Sequence, residues 1–138
     1  MNKTSLKTLN HCTFNLQCHL VLVTKYRKNC IDKAMLTSLA EIFTRLCQQW
    51  QCQLMEFNGE ADHIHLLLEL NPKIMPCKWV NSLKTVSSRL IRKLYQAKLK
   101  TIFFKPVFWS RSYCLVSCGG ASLKTLKDYI ANQTSPKF

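Results

Sequence analysis

The sequence has few glycines, few acidic residues and no long apolar run. Only three of its 138 residues are glycine, and no internal repeat or Gly/Ser linker divides the chain. No segment is apolar for long enough to span a bilayer, and residues 1–11 lack the apolar stretch of a signal peptide. We therefore expect one cytoplasmic domain, 1–138, in which a hydrophobic content of 47% supplies a single core.

The scarcity of acidic residues leaves the chain strongly basic. Seven Asp and Glu stand against 20 Lys and Arg, which gives a formal net charge of +13. No acidic residue occurs between Glu69 and Asp128, where twelve of the basic residues fall. This charge favours nucleic acid as the partner, and an acidic membrane less so because the basic residues form no short cluster. Charge alone does not exclude a solvated basic face without a specific ligand.

Cysteine is abundant, but its pattern is not that of a disulfide framework. The eight cysteines include no Cys-x-x-Cys pair, and no secretion signal precedes them. We expect free, mostly buried thiols, with a structural zinc site as the less favoured alternative.

Apolar periodicity predicts alternating strands and helices. The predicted helices run from Lys33 to Trp50, with Asp32 as N-cap, from after Pro76 to about Leu99, and over a short final segment from near Ser122. The predicted strands are 16–24, 51–57, about 62–70 and 113–118, with a turn at Asn58-Gly59 between the second and third. The resulting order, β-α-β-β-α-β-α, predicts an α+β domain. Its antiparallel sheet should carry helices mainly on one face, as in ferredoxin-like and RRM-like folds.

The second helix carries a basic surface beside its apolar stripe. Trp79, Leu83, Val86, Leu90, Leu94 and Ala97 recur at helical spacing and predict the buried side. The candidate phosphate-binding residues are Arg89, Arg92 and Lys93, which lie off that stripe, together with Arg111.

Two histidines interrupt the apolar strand at 62–70. Strand alternation places His63, His65, Leu67 and Glu69 on one face, and the two histidine Cβ atoms should be about 6.5 to 7 Å apart. Both imidazoles could then converge on one cation. The competing interpretation is a pair of histidines that only form hydrogen bonds at a half-buried surface.

A second candidate pair lies in the final helix. Tyr129 and Gln133 are four residues apart and would share one helix face. A phenol can attack a phosphodiester and keep the bond energy in a phosphotyrosine, so the step can be reversed. An amide oxygen could reach a metal that polarises the phosphate. A lone helical tyrosine, however, is usually only a packing residue.

Four segments together resemble the single-tyrosine HUH transposases of the IS200-like type. Asp62-His63-Ile64-His65 resembles the HUH motif, in which a bulky hydrophobic residue separates two histidines. Asp128-Tyr129-Ile130-Ala131-Asn132-Gln133 resembles the Tyr-Ile-x-x-Gln signature. The stretches 19–27 and 108–113 resemble the first strand of the family and the segment before its last strand.

The resemblance implies an activity and a set of site residues. His63, His65 and Gln133 would bind a divalent metal, magnesium or manganese, and Tyr129 would become attached to the 5′ phosphate of the cut strand. Family members bind hairpins in single-stranded DNA at the ends of an insertion sequence, excise the element and reinsert it. They act as homodimers. Because they act on DNA, the resemblance also implies that this protein is associated with the nucleoid when it acts.

The same resemblance, combined with the glycine pattern, predicts a movable nucleophile helix. Gly119 and Gly120 precede the helix at about 121–133 and could allow it to be re-aimed. We expect the helix of one subunit to dock on the His63/His65 face of the other, so that each active site is shared.

Two other functions are compatible with parts of the pattern. A non-catalytic RRM-like module would bind single-stranded nucleic acid through basic and aromatic residues and would form no covalent adduct. A histidine-triad nucleotide hydrolase would need a third histidine where Leu67 stands, so it is disfavoured. A domesticated relative of the transposases would share their chemistry and differ only in the DNA beside its gene.

Overall fold

The computed structural model describes residues 6–9, 11–118 and 130–131. A short hairpin, β1 (Lys7–Leu9) and β2 (Cys12–Phe14), precedes the main sheet. The sheet contains β3 (Leu16–Thr24), β4 (Gln53–Gly59), β5 (His63–Leu70) and β6 (Trp109–Ser117). The helices are α1 (Lys33–Gln49), α2 (Pro76–Leu94) and α3 (Gln96–Lys100), and a 3₁₀ turn (Lys25–Arg27) follows β3.

The four long strands form one antiparallel sheet in the order β4-β5-β3-β6. Alternate residues of the two central strands, such as Leu20 and Leu66, join Phe43 of α1 and Trp79 of α2 in the main core. This arrangement confirms the predicted α+β fold with helices mainly on one face of the sheet. The opposite face of the two central strands is therefore available for a site.

The helix α1 follows its sequence signals closely. Asp32 accepts a hydrogen bond from the backbone N–H of Met35 at 2.8 Å and caps the helix as predicted. Its apolar side, which includes Leu39 and Phe43, is fully buried against the sheet.

The structure corrects the predicted turn at Asn58-Gly59. Both residues belong to β4, and the chain reverses between Gly59 and His63. A Cβ atom on Gly59 would lie 2.6 Å from the Leu36 side chain and 3.0 Å from the His63 carbonyl oxygen. A side chain at this position would therefore have to displace Leu36, so the lack of a Cβ atom helps α1 to approach the sheet closely.

The second helix ends earlier than predicted, and the end of its predicted apolar stripe is exposed. Tyr95, with φ −121° and ψ 41°, interrupts the helix between α2 and α3. Leu94, the last residue of α2, is 62% exposed, whereas Leu99 of α3 is buried. The predicted stripe is confirmed from Trp79 to Leu90, because Val86 and Leu90 also pack against the core, and is wrong at Leu94 and Ala97, which are both exposed.

The cysteines form no disulfide, and four of them lie in the core. Cys18, Cys30, Cys47 and Cys52 are buried, whereas Cys12 and Cys77 are exposed. Burial raises the pKa of Cys18 to about 12, so its thiol keeps its proton at neutral pH. No helix in the described part of the chain is long and apolar enough to cross a membrane.

Candidate active site

The two histidines of β5 lie on the sheet face opposite the helices. His65 pairs with Val21 and His63 pairs with Val23 across the β3–β5 ladder. Their strand neighbours Ile64 and Leu66 point into the main core and are fully buried, whereas both histidines are partly accessible. The alternation that the sequence predicts is therefore present. Glu69, farther along the same face, accepts a hydrogen bond from the Leu16 N–H at 2.6 Å.

His65 contacts a third histidine, which sequence analysis did not select. The Nδ1 atom of His19 and the Nε2 atom of His65 share a hydrogen bond of 2.8 Å, and the rings stack with centroids 4.9 Å apart. Burial lowers the pKa of His65, and the neighbouring His19 lowers it further. The His65 ring is therefore neutral at pH 7, which is the form that can bind a metal ion.

His63 is oriented by the residue before it. The Nδ1 atom of His63 lies 2.9 Å from the Oδ1 atom of Asp62. Burial alone would raise the pKa of the Asp62 carboxyl, but hydrogen bonds from His63 and Arg27 outweigh that effect and lower it. An ionised carboxylate at this distance favours the His63 tautomer with its proton on Nδ1, and that tautomer presents the Nε2 lone pair to a ligand.

A short segment that includes Ile130 packs on the same sheet face as the histidines. Ile130 and Ala131 are helical, and Ile130 contacts Val21 and Val23, which are also in contact with Cys114 and Val116. Val21 and Val23 are the cross-strand partners of His65 and His63, so Ile130 packs on the strand beside the one that carries the histidine pair.

An arginine after β3 joins the two parts of the site. The Nε and Nη2 atoms of Arg27 lie 2.9 and 2.8 Å from Asp62 Oδ2, and Nη1 donates to the Ile130 carbonyl oxygen at 2.8 Å. Arg27 belongs to one of the segments that resemble the transposases, but nothing in the sequence indicates that its side chain reaches either group.

The described residues supply only some of the ligands that a divalent cation needs. Two imidazoles on one face, one of them with Nε2 free, match a site that needs further ligands. Across residues 6–9, 11–118 and 130–131, no group of three or more His, Cys, Asp and Glu side chains could hold a metal ion. Tyr129 and Gln133, the predicted nucleophile and third ligand, lie outside the described residues, as do Gly119 and Gly120.

The predicted DNA-binding residues fall in two places. Arg89, Arg92 and Lys93 line one cavity of about 430 Å³ at the end of α2, together with Lys100, Lys105 and Phe104. Phe104 is 99% exposed. Arg111 is not among the lining residues of that cavity but lies on β6, where its carbonyl oxygen accepts a hydrogen bond from Lys84 at 2.9 Å.

His19 and Arg27 could not be identified as site residues from spacing alone. His19 alternates with Val21 and Val23 and so belongs to the open face, but its contact with His65 depends on the register between β3 and β5. A strand sequence does not reveal which strand will be its partner or in what register.

The fold and the open histidine face define an α+β domain whose sheet carries its helices on one side and a paired-histidine site on the other. The family described as "Transposase IS200 like" matches this chain over residues 12–133. The chain belongs to that family of transposases.

Individual relatives agree with this assignment. The transposase for insertion sequence element IS200 of Salmonella typhimurium is 31% identical over 127 residues, covering 92% of this chain and 82% of the relative. The ISDra2 transposase TnpA of Deinococcus radiodurans is 26% identical over 120 residues, covering 87% and 85% respectively. A crystal structure assigned as a transposase from D. radiodurans superposes with a TM-score of 0.82 at 26% identity, covering 94% of this chain and 99% of that one.

Proposed function

We propose that this transposase cuts and rejoins single-stranded DNA through a covalent link between Tyr129 and the 5′ phosphate of the cut strand. The observation that carries the proposal is the packing of Ile130 against Val21 and Val23, the cross-strand partners of His65 and His63, because Tyr129 precedes Ile130 in sequence. A nucleophile and an ion-binding face would then meet at one phosphate. The substrate would be a hairpin-bearing end of an insertion sequence.

The proposed reaction is a transesterification, in which one phosphorus–oxygen bond forms while another breaks. The Tyr129 hydroxyl loses its proton and its oxygen forms a bond to phosphorus, while the bond from phosphorus to the 3′ oxygen breaks. The 3′ oxygen leaves with a proton as a free hydroxyl. In the rejoining step, a 3′ hydroxyl attacks the phosphotyrosine and releases Tyr129, so no external energy source is needed.

His63, His65 and Gln133 would hold a divalent cation, Mg²⁺ or Mn²⁺. When bound, such an ion polarises the scissile phosphate and stabilises the charge that develops on it. The protein's own contribution is orientation: Asp62 directs the free Nε2 atom of His63 toward the open face. His65 Nε2 would have to exchange its bond with His19 for a metal bond.

A non-catalytic RRM-like module is the competing function. The cavity beside α2, with its basic residues and exposed Phe104, is compatible with that module as well as with a transposase. The two functions differ in covalent chemistry. Purified protein should therefore be incubated with single-stranded DNA carrying its element end, in Mg²⁺ and in chelator. The proposal requires metal-dependent cleavage and a protein–DNA adduct that survives denaturation.

The residues Arg89, Arg92 and Lys93 are expected to contact hairpin phosphates. Changing all three to Gln should reduce the slope of log K against log salt by about 2 to 3. Each phosphate contact that is lost lowers the slope by roughly 0.7 to 0.9, because fewer counterions are released on binding. The matched control changes three exposed basic residues elsewhere, Lys7, Lys33 and Arg45, to Gln. An equal change of slope in both triple variants would mean that only net charge matters.

We also propose a homodimer in which each active site is shared. In the single chain, Ile130 contacts Val21 and Val23 of that same chain, so sharing requires the segment to exchange onto the partner's face. The sequence places Gly119 and Gly120 between β6 and this segment, and glycine readily adopts the backbone conformations that such an exchange needs.

Mixing two inactive variants tests the shared site. Tyr129→Phe and His65→Ala proteins, each inactive alone, should regain partial cleavage when they are co-expressed. Some mixed dimers would combine the intact tyrosine of one chain with the intact histidine of the other. If each chain completes its own site, every site in the mixture lacks one essential group and no activity returns.

A further inference from the structure

The Arg27 side chain bonds to two groups in different parts of the site. Two of its nitrogens meet Asp62 Oδ2, and the third donates to the Ile130 carbonyl oxygen. A guanidinium group is planar and its donors are fixed relative to one another, so the direction of one set of bonds determines the other. The positions of Asp62 and Ile130 are therefore tied through one rigid group.

Asp62 carries the connection on to the histidine pair. While Oδ2 accepts from Arg27, Oδ1 meets the Nδ1 atom of His63 at 2.9 Å. The Asp62 backbone is also fixed, because its carbonyl oxygen accepts a hydrogen bond from the Thr24 N–H at 2.9 Å. A rotation of the carboxylate would disturb both of its partners, since the backbone cannot move to compensate.

The turn that carries Arg27 has an unfavourable backbone conformation. Tyr26 and Arg27 have φ values of 60° and 51°, in the left-handed region that side chains with a Cβ atom disfavour. The Thr24 hydroxyl holds the turn by donating to the Lys28 carbonyl oxygen at 2.8 Å. Such strain is maintained where the surrounding structure determines it, and here it places Arg27 between Asp62 and Ile130.

We propose that Arg27 and Asp62 form a relay that couples docking of the segment at Ile130 to the orientation of the His63 ring. Both are positioning residues, since each acts through a neighbour. The relay rests on the proposed function where it links His63 to a metal and Ile130 to Tyr129. The coupling between Ile130 and His63 itself requires neither assignment.

The test uses two near-isosteric variants, Asp62→Asn and Arg27→Lys. Lysine keeps the charge but is a single point donor that cannot bridge both groups. Without metal, nitrogen NMR shifts report which nitrogen of His63 carries the proton, and amide exchange reports how firmly Ile130 and Ala131 are held. Arg45→Lys, at an exposed position on α1, is the matched control.

The relay predicts that each variant alters both the His63 ring and the segment at Ile130. Asp62→Asn should move the His63 proton from Nδ1 to Nε2 and also speed exchange at Ile130 about tenfold, although Arg27 makes the bond to Ile130. Arg27→Lys should speed that exchange about tenfold and also shift His63 toward the Nε2 form. Exchange at Leu66, in the core, should stay unchanged in every variant and so exclude general unfolding.

Manganese affinity provides a second readout. Either variant should bind Mn²⁺ about tenfold more weakly than the wild type, because the orienting partner of a metal-bound imidazole is lost. The double variant should lose little more than either single variant, since the two act through one path. Arg45→Lys should match the wild type in all measurements.

One result would overturn the relay, and a different result would overturn the proposed metal site. If Asp62→Asn alters only the His63 proton and Arg27→Lys alters only exchange at Ile130, the two contacts are independent and the relay is overturned. If the wild type binds no Mn²⁺, the proposed metal site fails, while the metal-free NMR measurements still decide the relay.

Discussion

Changing Tyr129 to Phe is expected to abolish the covalent adduct with single-stranded DNA. Phenylalanine keeps the aromatic ring and removes only the hydroxyl group, so packing of the neighbouring Ile130 on Val21 and Val23 should persist. Without that oxygen no bond to phosphorus can form. Loss of a nucleophile typically lowers the rate by more than about 1000-fold. The adduct is measured on a denaturing gel with end-labelled DNA and Mg²⁺ or Mn²⁺.

Two other tyrosines supply the controls for this experiment. Tyr113 pairs with Leu22 on the helix-covered face of the sheet, so Tyr113→Phe should leave the adduct unchanged. Tyr26 is 44% exposed and directly precedes the site residue Arg27. It is therefore the alternative nucleophile. An adduct that survives Tyr129→Phe but disappears in Tyr26→Phe would transfer the nucleophile role to Tyr26.

Changing His63 or His65 to Ala should stop cleavage while hairpin binding stays nearly intact. A bound cation lowers the barrier by several kcal/mol, so cleavage should fall by at least about 100-fold. The basic cavity at Arg89, Arg92 and Lys93 is built from other elements, so its phosphate contacts should remain. Cleavage is measured in Mg²⁺, and binding by gel shift in chelator, where affinity should change by less than about threefold.

The control for the histidine variants is His11→Asn. His11 is exposed, and its φ of 69° is a conformation that asparagine tolerates. This variant removes an imidazole without touching the sheet face and should cleave normally. If affinity in chelator falls together with cleavage in His65→Ala, the stacked pair of His65 and His19 supports the DNA-binding surface or the fold instead.

The fold was predictable because its local signals agree with its packing. Asp32 begins α1, strand periodicity marks β3 and β5, and the order of elements suits an antiparallel sheet. The errors occur where tertiary contacts decide. Gly59 resembles a turn residue, but it lies at the end of β4, where Leu36 of α1 approaches the sheet closely. Tyr95 has no helix-breaking character, yet it separates α2 from α3.

The site was predictable only where its residues are close in sequence. His63 and His65 lie on one face because a strand alternates, and that alternation needs no partner. The contact between His19 and His65 spans 46 positions, and the contact between Arg27 and Ile130 spans 103. Contacts of this kind depend on strand register and on a left-handed turn at Tyr26, neither of which local periodicity encodes.

The central claim is that Tyr129 forms the bond to DNA, and mapping the attachment site tests it most directly. The adduct formed by the wild-type protein would be digested with nuclease and trypsin, and the peptides sequenced by mass spectrometry. Cleavage after Lys127 and Lys137 releases residues 128–137, in which Tyr129 is the only tyrosine. We expect a nucleotide phosphate on Tyr129 of that peptide. A phosphate bound to any other residue, or an unmodified 128–137 peptide in the adduct, would contradict the account.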